Sequence, residues 1–381
     1  MDEKMFTSRI SGEVRNNVNG GYSYFQPHDL PFDLDIPRSV YRMSLDAVIS
    51  LSNLNGRVSA MSPEERDIFL RTFTLKESVC SSSIEGTRST LSDMFRSEKE
   101  APDATTQGDV REISNYMDAL EEGVKAISEG EEITVELLHR LHIILLTGTR
   151  GENKSPGAFK TEQNVIGIPG DTLETAKMVP SPPEAVDHLM DNLLEYVGSD
   201  EDPLVKIALT HCQFEAIHPY RDGNGRIGRL LIMLMLAKEG LLTYPAIYPS
   251  EYFDRNRGLY IDGLFDVSSK DMFEEWLAFF INALKDQADG SMAMILNLQD
   301  YRKKLEAKYH RSLVTVRAIG FLFENPYVTI TDVAKRCEVS ATTAAKILSD
   351  LEGDGVVREV SGRKRNKLYL ADGVIELLGN W

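Results

Sequence analysis

The stretch that decides the fold is His218-Pro-Tyr-Arg-Asp-Gly-Asn-Gly-Arg-Ile-Gly-Arg229. Two glycines flank Asn224 directly before an apolar segment, residues 228–238, that is predicted to be a helix. Glycines at such positions let consecutive backbone N–H groups point inward, and a helix start adds further N–H groups and the positive end of its dipole. The loop therefore predicts an anion-binding site suited to phosphate.

The charged side chains of this loop predict a reaction at phosphate. Arg226 and Arg229 are three residues apart, so they share one face of the predicted helix and can reach one polyphosphate. Asp222 beside a phosphate site predicts a cation between the two, and Mg²⁺ is the natural candidate because it takes one or two carboxylates plus phosphate oxygens. His218 is a candidate general base for a hydroxyl nucleophile. Together these groups predict phosphoryl or nucleotidyl transfer.

Other phosphate and metal sites are excluded by spacing. The loop lacks the Gly-Lys-Ser/Thr of a P-loop. His211 and His218 are seven residues apart, whereas paired zinc-binding histidines lie three to five residues apart. A lone His before Pro and a lone Gly-Asn-Gly are usually structural, but their joint occurrence with two spaced arginines favours a functional site.

The loop from His218 to Arg229 resembles the signature of the Fic family, with Tyr220 where the family more often has Phe. Residues 156–167 resemble the family's flap, and residues 179–183 the segment after it, so the resemblance covers about residues 110–290. It implies a mainly α fold, with a Fic-type helical core and a β-hairpin flap. It also implies transfer of AMP from ATP to a Ser, Thr or Tyr hydroxyl of a target protein, and of the protein itself.

The resemblance also implies a role for each residue of the loop. His218 would deprotonate the target hydroxyl, and Asp222 would hold Mg²⁺ against the phosphates. ATP would be bound by Gly223, Asn224, Gly225, Arg226, Arg229 and, near the adenine, Tyr260. The flap, residues 161–179, would bind the target protein by strand-like backbone pairing. Two strands, residues 161–167 and 176–179, are predicted there, joined by a turn at Pro169, Gly170 and Asp171.

A second motif lies upstream, Ser81-Ser-Ser-Ile-Glu85-Gly86. Taken alone it favours an ordinary helix end with Gly at the C-cap. It also resembles the inhibitory motif of the Fic family, and Ser81 and Glu85 lie four residues apart on one helical face. The resemblance implies that Glu85 pairs with Arg229 of the same chain, worth roughly 1.5–3 kcal/mol if shielded. That pairing would occupy the arginine that the γ-phosphate needs.

Three regions are predicted along the chain. Residues 1–105 form an irregular arm followed by helices with the inhibitory motif, and residues 106–300 form the catalytic core. Residues 305–381 are predicted to be a winged helix-turn-helix, because a helix, a three-residue turn and a second helix precede two alternating stretches that indicate a hairpin. Ser340 is the predicted N-cap of the second helix.

The C-terminal region leaves two kinds of partner open. DNA could bind through residues 311–381, with the second helix in a major groove and the turn Arg363-Lys364-Arg365 on phosphates. The second helix offers only Thr342, Thr343 and Lys346 as base readers. Such modules also mediate protein contacts, so protein binding is the alternative.

Composition narrows the cellular setting. The chain has 42 Lys and Arg against 59 Asp and Glu, a net charge of −17, which disfavours general binding to DNA or to anionic membranes. Its 3 cysteines lie far apart, which excludes a disulfide framework and favours a cytoplasmic protein. No secretory signal and no membrane-spanning run is apparent. The family resemblance suggests a homodimer.

Two other functions stay open on the sequence. A DNA-binding transcription regulator could use the same loop to sense nucleotide without turnover, although a pure sensor needs no base such as His218. Alternatively, the same site could remove AMP from a modified protein or use another nucleotide.

Overall fold

The computed structural model describes residues 1–18, 20–168 and 170–379. In that part of the chain there are fifteen α-helices and two small antiparallel sheets. The predicted mainly α fold is therefore confirmed. Pro169 of the predicted flap turn lies outside the described residues. No helix within the described ranges is both long enough and apolar enough to cross a membrane.

The chain folds as two compact units. The first contains residues 1–61, 73–87 and 111–289, and it holds both motifs of interest. The second contains residues 62–72, 88–110 and 290–381. The division into three regions stays a prediction.

Ten helices build the first unit wholly or in part. They are α1 (Arg38–Ser59), α2 (Pro63–Ile84), α4 (Gln107–Ser128), α5 (Val135–Leu146), α6 (Pro183–Val197), α7 (Pro203–Ile217), α8 (Asn224–Lys238), α9 (Pro249–Arg255), α10 (Arg257–Lys270) and α11 (Phe273–Lys308).

Helix α7 lies at the centre of the first unit. It begins with Pro203 after the N-cap Asp202, whose carboxylate accepts hydrogen bonds from the backbone of Leu204 and Val205 at 3.1 Å. Apolar residues occur on all sides of α7 and α8, and nearly every side chain of both helices is buried. A helix that is apolar all round belongs in a core. This core fixes the loop that joins α7 to α8.

Two helices continue through an internal glycine. Helix α11 continues through Gly290 to Lys308, and α1 continues through Gly56 to Ser59. A single Gly inside a helix costs only about 1 kcal/mol relative to Ala, which the rest of a long helix offsets.

The N-terminal arm is not irregular as predicted. Residues Gly12–Asn17 (β1) and Tyr22–Pro27 (β2) form an antiparallel hairpin with Gly12 opposite Pro27. The alternation around Phe25, whose ring is fully buried, is the strand signal that this prediction missed.

The flap has shorter strand pairing than predicted. Within the described residues 161–168 and 170–179, one antiparallel bridge joins Ile166 to Met178. Asp171 organises the turn, since its carboxylate accepts from the Ile168 backbone at 2.8 Å and from the Thr175 hydroxyl at 2.9 Å. Beyond Met178, the Val179 carbonyl accepts from the Phe25 N–H at 2.8 Å and so does not extend this pairing.

The second unit contains the C-terminal region. Its further elements are α3 (Leu91–Ser97), α12 (Leu313–Glu324), β3 (Tyr327–Thr329), α13 (Ile330–Cys337), α14 (Ala341–Gly353), β4 (Arg358–Glu359), β5 (Leu368–Leu370) and α15 (Asp372–Leu378). The strands form a sheet in the order β3-β5-β4. Ser340 caps α14 by accepting from the Thr343 backbone at 3.1 Å, at the position predicted. The sequence prediction did not include β3.

Candidate active site

The loop between α7 and α8 has a fixed backbone. His218 is the C-cap of α7 in the left-handed region, with φ 51° and ψ 59°, and its N–H donates to the Phe214 carbonyl at 2.9 Å. Gly223, with φ 78°, is the N-cap of α8 and occupies the region that favours glycine. Helix α8 therefore begins at Asn224, not at Gly228 as predicted, and Gly225 and Arg226 lie in its first turn.

The side chain of Asn224 closes this loop. Its Oδ1 accepts from the Tyr220 backbone N–H, and its Nδ2 donates to the Tyr220 carbonyl, both at 2.8 Å. The amide is thus occupied in shaping the loop. Only the backbone of Asn224 is left to contact a phosphate at the helix N-terminus.

A histidine that sequence reasoning missed contacts this loop and supports it. His142 of α5 stacks on the Tyr220 ring, with ring centroids 3.9 Å apart. Its Nδ1 accepts from the Gly157 N–H at 3.0 Å, so its Nε2 carries the proton and donates to the Asp222 carbonyl, also at 3.0 Å. Burial lowers the pKa of His142 to about 4, which keeps the ring neutral.

Arg229 makes three hydrogen bonds with the upstream motif. The guanidinium is buried, and it donates from Nε to the Ser81 hydroxyl at 2.8 Å and from Nη2 to the Ser81 carbonyl at 2.9 Å. Nη2 also donates to Glu85 Oε1 at 2.8 Å. Gly86 follows with φ 102° and ends this segment. Glu85 therefore contacts the arginine to which the family resemblance assigns it.

The Glu85 carboxylate also lies over the start of α8. A Cβ added at Gly225 would lie 2.3 Å from Glu85 Oε1 and 3.0 Å from Arg229 Nη1. Burial opposes ionisation of Glu85, but the Arg229 guanidinium outweighs it, so the pKa of Glu85 is lowered. The same pairing outweighs burial for Arg229, whose pKa is raised. The pair is charged at neutral pH.

A cavity of about 740 Å³ opens at this pair. His218, Gly225 and Arg229 line it together with Glu85, and apolar side chains of the flap and of α10 form the opposite walls. Asp222, Gly223, Asn224 and Arg226 do not line it. The predicted site residues thus fall into two groups, one that lines the cavity and one that does not. The two groups meet at the first turn of α8.

The second group is centred on Arg226. This buried side chain lies 3.4 Å from Glu112 Oε2 and 3.7 Å from Asp222 Oδ1. Glu112 also pairs with Arg150 Nε at 3.2 Å. Sequence reasoning missed Glu112, because it lies on α4, more than a hundred residues before its partner, and nothing in its local pattern marks it.

Two family profiles match parts of this chain. The profile described as the Fic/DOC family matches residues 132–236, and the profile described as its N-terminal region matches residues 42–125. The chain contains a Fic/DOC domain. The loop at 218–229 lies within the first match, and the motif at 81–86 lies within the second.

Two relatives that match this chain are named as protein adenylyltransferases. The chain is 28% identical over 198 residues to a probable protein adenylyltransferase of Aquifex aeolicus, covering 51% of this chain and 55% of that protein. It is 26% identical over 127 residues to a protein adenylyltransferase of Caenorhabditis elegans, covering 32% of this chain and 22% of that protein. The chain thus spans about half of the first relative and about a fifth of the second.

A solved structure shares the fold. A Fic family protein from Desulfovibrio desulfuricans superposes with a TM-score of 0.51 at 21% identity, over 86% of this chain and 95% of that one. At this identity the likeness shows the fold alone.

His218 stands in the Fic domain as a neutral imidazole. Burial, and secondly the charge of Lys160, lower the pKa of His218 to about 3, yet a fifth of the side chain stays exposed to the cavity. Its Nδ1 lies 3.8 Å from Glu215 Oε2 and has no hydrogen-bond partner in the described part of the chain. Burial raises the pKa of Glu215 to about 8. Because Nδ1 is buried, a hydroxyl in the cavity could reach the neutral ring only through Nε2, where the ring can accept a proton.

Tyr260 lines the cavity, but its ring is packed into the core. The side chain is 2% exposed, its hydroxyl lies 2.8 Å from His211 Nε2, and its ring stacks on Phe253 with centroids 4.7 Å apart. A contact of Tyr260 with adenine stays a prediction.

Asp222 is the residue that suits a metal ion. Its carboxylate is one-third exposed and lies next to the N-terminus of α8. The described residues contain no cluster of three or more His, Cys, Asp or Glu side chains placed to hold a metal. One carboxylate beside a phosphate site fits Mg²⁺, which completes its shell with water and phosphate oxygens.

Proposed function

We propose that this protein transfers AMP from ATP to a Ser, Thr or Tyr hydroxyl of a target protein, and to itself. The observation that carries this proposal is the cavity in which a neutral His218 faces the N-terminal turn of α8 and Arg229. The names of the relatives support AMP as the group transferred.

The reaction assigns one task to each group. His218 takes the proton of the hydroxyl, the resulting oxygen nucleophile attacks the α-phosphorus of ATP, and the bond to pyrophosphate breaks. A bound Mg²⁺ would supply charge neutralisation at the phosphates. Asp222 would hold this ion.

The start of α8 would bind the phosphates. The backbone N–H groups of Gly223, Asn224 and Gly225 belong to the helix N-terminus, where anions are stabilised. Arg226 and Arg229 would add positive charge on one side of that turn. Binding and orientation of the phosphates would account for most of the rate.

Glu85 would act as an inhibitor in the same chain. The nucleotide's γ-phosphate and the Glu85 carboxylate compete for Arg229, and both are negative. ATP bound beside Glu85 would be displaced from the position for attack, and an error of about 1 Å costs on the order of 10²-fold in rate. Ser81 and Gly86 shape this segment.

The flap would bind the target protein. Its described residues pair through a single bridge, so much of its backbone is available for strand-like pairing with an incoming segment. Ile168 at the flap is 75% exposed and offers an apolar contact. Such pairing reads backbone more than side chains.

Removal of AMP from a modified protein is a second candidate. The ionised Glu85 carboxylate shares the cavity with His218, so it could orient a water molecule there. Incubation of wild-type protein with an AMP-modified substrate would reveal released AMP if this reaction occurs.

The other functional features also stay proposals. The order α13, α14, β4, β5 agrees with a winged helix-turn-helix, but Arg363 of its basic turn is paired with Glu100. DNA binding through residues 311–381, a homodimer and a cytoplasmic location remain predictions.

Labelling with ATP that carries radioactive phosphate at the α position tests the main proposal. We expect Glu85→Gly to label itself and lysate proteins at least about tenfold faster than wild type. Adding His218→Ala should abolish labelling, while nucleotide binding persists. Equal labelling of wild type and Glu85→Gly would overturn inhibition by Glu85, and labelling that survives His218→Ala would overturn its role as base.

A further inference from the structure

The stem of the flap, residues 160–164, donates hydrogen bonds to all four carbonyl groups of the turn at residues 217–220, which carries His218. Lys160 donates from Nζ to the Ile217 carbonyl at 3.2 Å and from its backbone N–H to the Pro219 carbonyl at 2.8 Å. Asn164 donates from Nδ2 to the His218 carbonyl at 3.1 Å and to the Tyr220 carbonyl at 2.8 Å. Four consecutive carbonyls are thus held by two residues.

The two residues are also bound to each other. Lys160 Nζ donates to Asn164 Oδ1 at 2.9 Å, so the amide orientation that puts Nδ2 on the carbonyls is fixed. Lys160 is 3% exposed, and no carboxylate in the described residues lies within ion-pair distance of it. Burial against neutral oxygen acceptors disfavours the ammonium form and lowers the pKa of Lys160 to about 7. A fold that keeps such a group at this position points to a use for it.

We propose that Lys160 and Asn164 are positioning residues that orient His218 for proton transfer and connect the base to the target-binding flap. This inference rests on the proposed function. Sequence reasoning assigned no role to either residue beyond membership of the flap.

The geometry of His218 explains why such a support is needed. A non-glycine residue with φ near 50° is in a sparsely populated region and stays there only when its surroundings hold it. The N–H of His218 is bonded within α7, but its carbonyl and those on either side leave the helix. Lys160 and Asn164 supply the missing donors. Without them the turn can relax, and the ring moves with it.

The charge of Lys160 affects the protonation state of His218 before the reaction. Three charged or titratable groups face His218: Glu215 from α7, Glu85 after α2 and Lys160 from the flap stem. The ammonium is the group of these that disfavours a protonated ring. Lys160 thereby helps to keep the imidazole neutral before the reaction, and burial lowers the pKa of Lys160 itself to about 7.

The test compares variants of the full chain in the Glu85→Gly background. Lys160→Met and Asn164→Ala should each lower the rate constant of self-labelling by about 10–100-fold, since a misplacement of about 1 Å costs on this order. The KM for ATP should stay within about twofold, because neither side chain lines the cavity. Lys160→Arg, which keeps a cationic donor, should restore most of the rate.

Lys154→Met is the matched control. Lys154 is exposed and lies on the same segment before the flap stem, so the same substitution there should leave the rate constant unchanged. Melting temperature and the affinity for ATP, measured by calorimetry, show whether each variant is folded. If Lys160→Met does not fold, Asn164→Ala provides the same comparison.

The outcomes separate the inference from the proposed function. A parent Glu85→Gly chain that does not label at all would overturn the proposed function and the inference with it. If the parent labels itself and Lys160→Met and Asn164→Ala each label at the same rate as the parent, the inference alone is overturned. A parallel loss of ATP affinity and rate would also contradict it, because that pattern indicates a binding role.

Discussion

At the scale of single residues, the proposed function gives Arg229 two tasks that exclude each other. The guanidinium donates hydrogen bonds to Ser81 and Glu85. A γ-phosphate would need the same donors. A buried arginine keeps its charge, so whichever anion is present determines its partner. The strength of inhibition should therefore follow the number of bonds that the upstream motif makes to Arg229.

Ser81→Ala tests this dependence. The change removes the acceptor of Arg229 Nε and weakens the pairing by about 1 kcal/mol, while the Ser81 carbonyl and Glu85 stay in place. Self-labelling with α-labelled ATP should rise roughly fivefold, an intermediate level between wild type and Glu85→Gly. A rate equal to that of Glu85→Gly would mean that the hydroxyl, rather than the carboxylate, is the main restraint.

Tyr220 departs from the residue that the family more often has, and its hydroxyl has no hydrogen bond in the described part of the chain. The side chain is fully buried. Tyr220→Phe removes an unsatisfied polar group without changing the ring, so the free energy of unfolding should rise by about 1 kcal/mol. Urea denaturation measures it, and self-labelling of Glu85→Gly should be unchanged. A loss of stability would show that the hydroxyl has a bound partner.

At the scale of elements, α5 and the flap stem hold the active-site loop from two sides. His142 of α5 binds the Asp222 carbonyl, while Lys160 and Asn164 bind the carbonyls of the turn at His218. These bonds go to backbone carbonyls and not to the His218 ring or the Asp222 carboxylate. Under the proposed function, these supporting residues would position the loop without taking part in the chemistry.

His142→Phe tests the support from α5. The change keeps an aromatic ring against Tyr220 but removes the bonds to Gly157 and Asp222. In the Glu85→Gly background we expect labelling to fall about tenfold and the Mg²⁺ concentration needed for half the rate to rise. If the Mg²⁺ dependence stays the same, His142 does not position Asp222.

The sequence allowed the loop and the upstream motif to be predicted because their residues lie close together along the chain. The supports could not be predicted, since Glu112 and Lys160 meet their partners only through the tertiary fold and have no local signal. The same limit applied to the start of α8, which tertiary packing moved from Gly228 to Asn224. The missed β1–β2 hairpin had a local signal, the alternation around Phe25, that was outweighed by nearby Asn and Gly residues.

At the scale of the whole molecule, the net charge of the chain and the ion pairs within its second unit disfavour DNA binding. The chain carries −17, and Arg358 and Arg363 of the C-terminal hairpin are paired with Asp372 and Glu100. We expect no gel shift of a random DNA duplex by the full chain at about 0.15 M salt. A salt-sensitive shift under these conditions would favour the DNA-binding alternative.

The most direct test of the central claim is intact-mass spectrometry of the Glu85→Gly chain after incubation with ATP and Mg²⁺. The account predicts the added mass of one or more AMP groups, located on Ser, Thr or Tyr side chains, and no added mass when His218→Ala is included. An unchanged mass, or the added mass of phosphate instead of AMP, would contradict it.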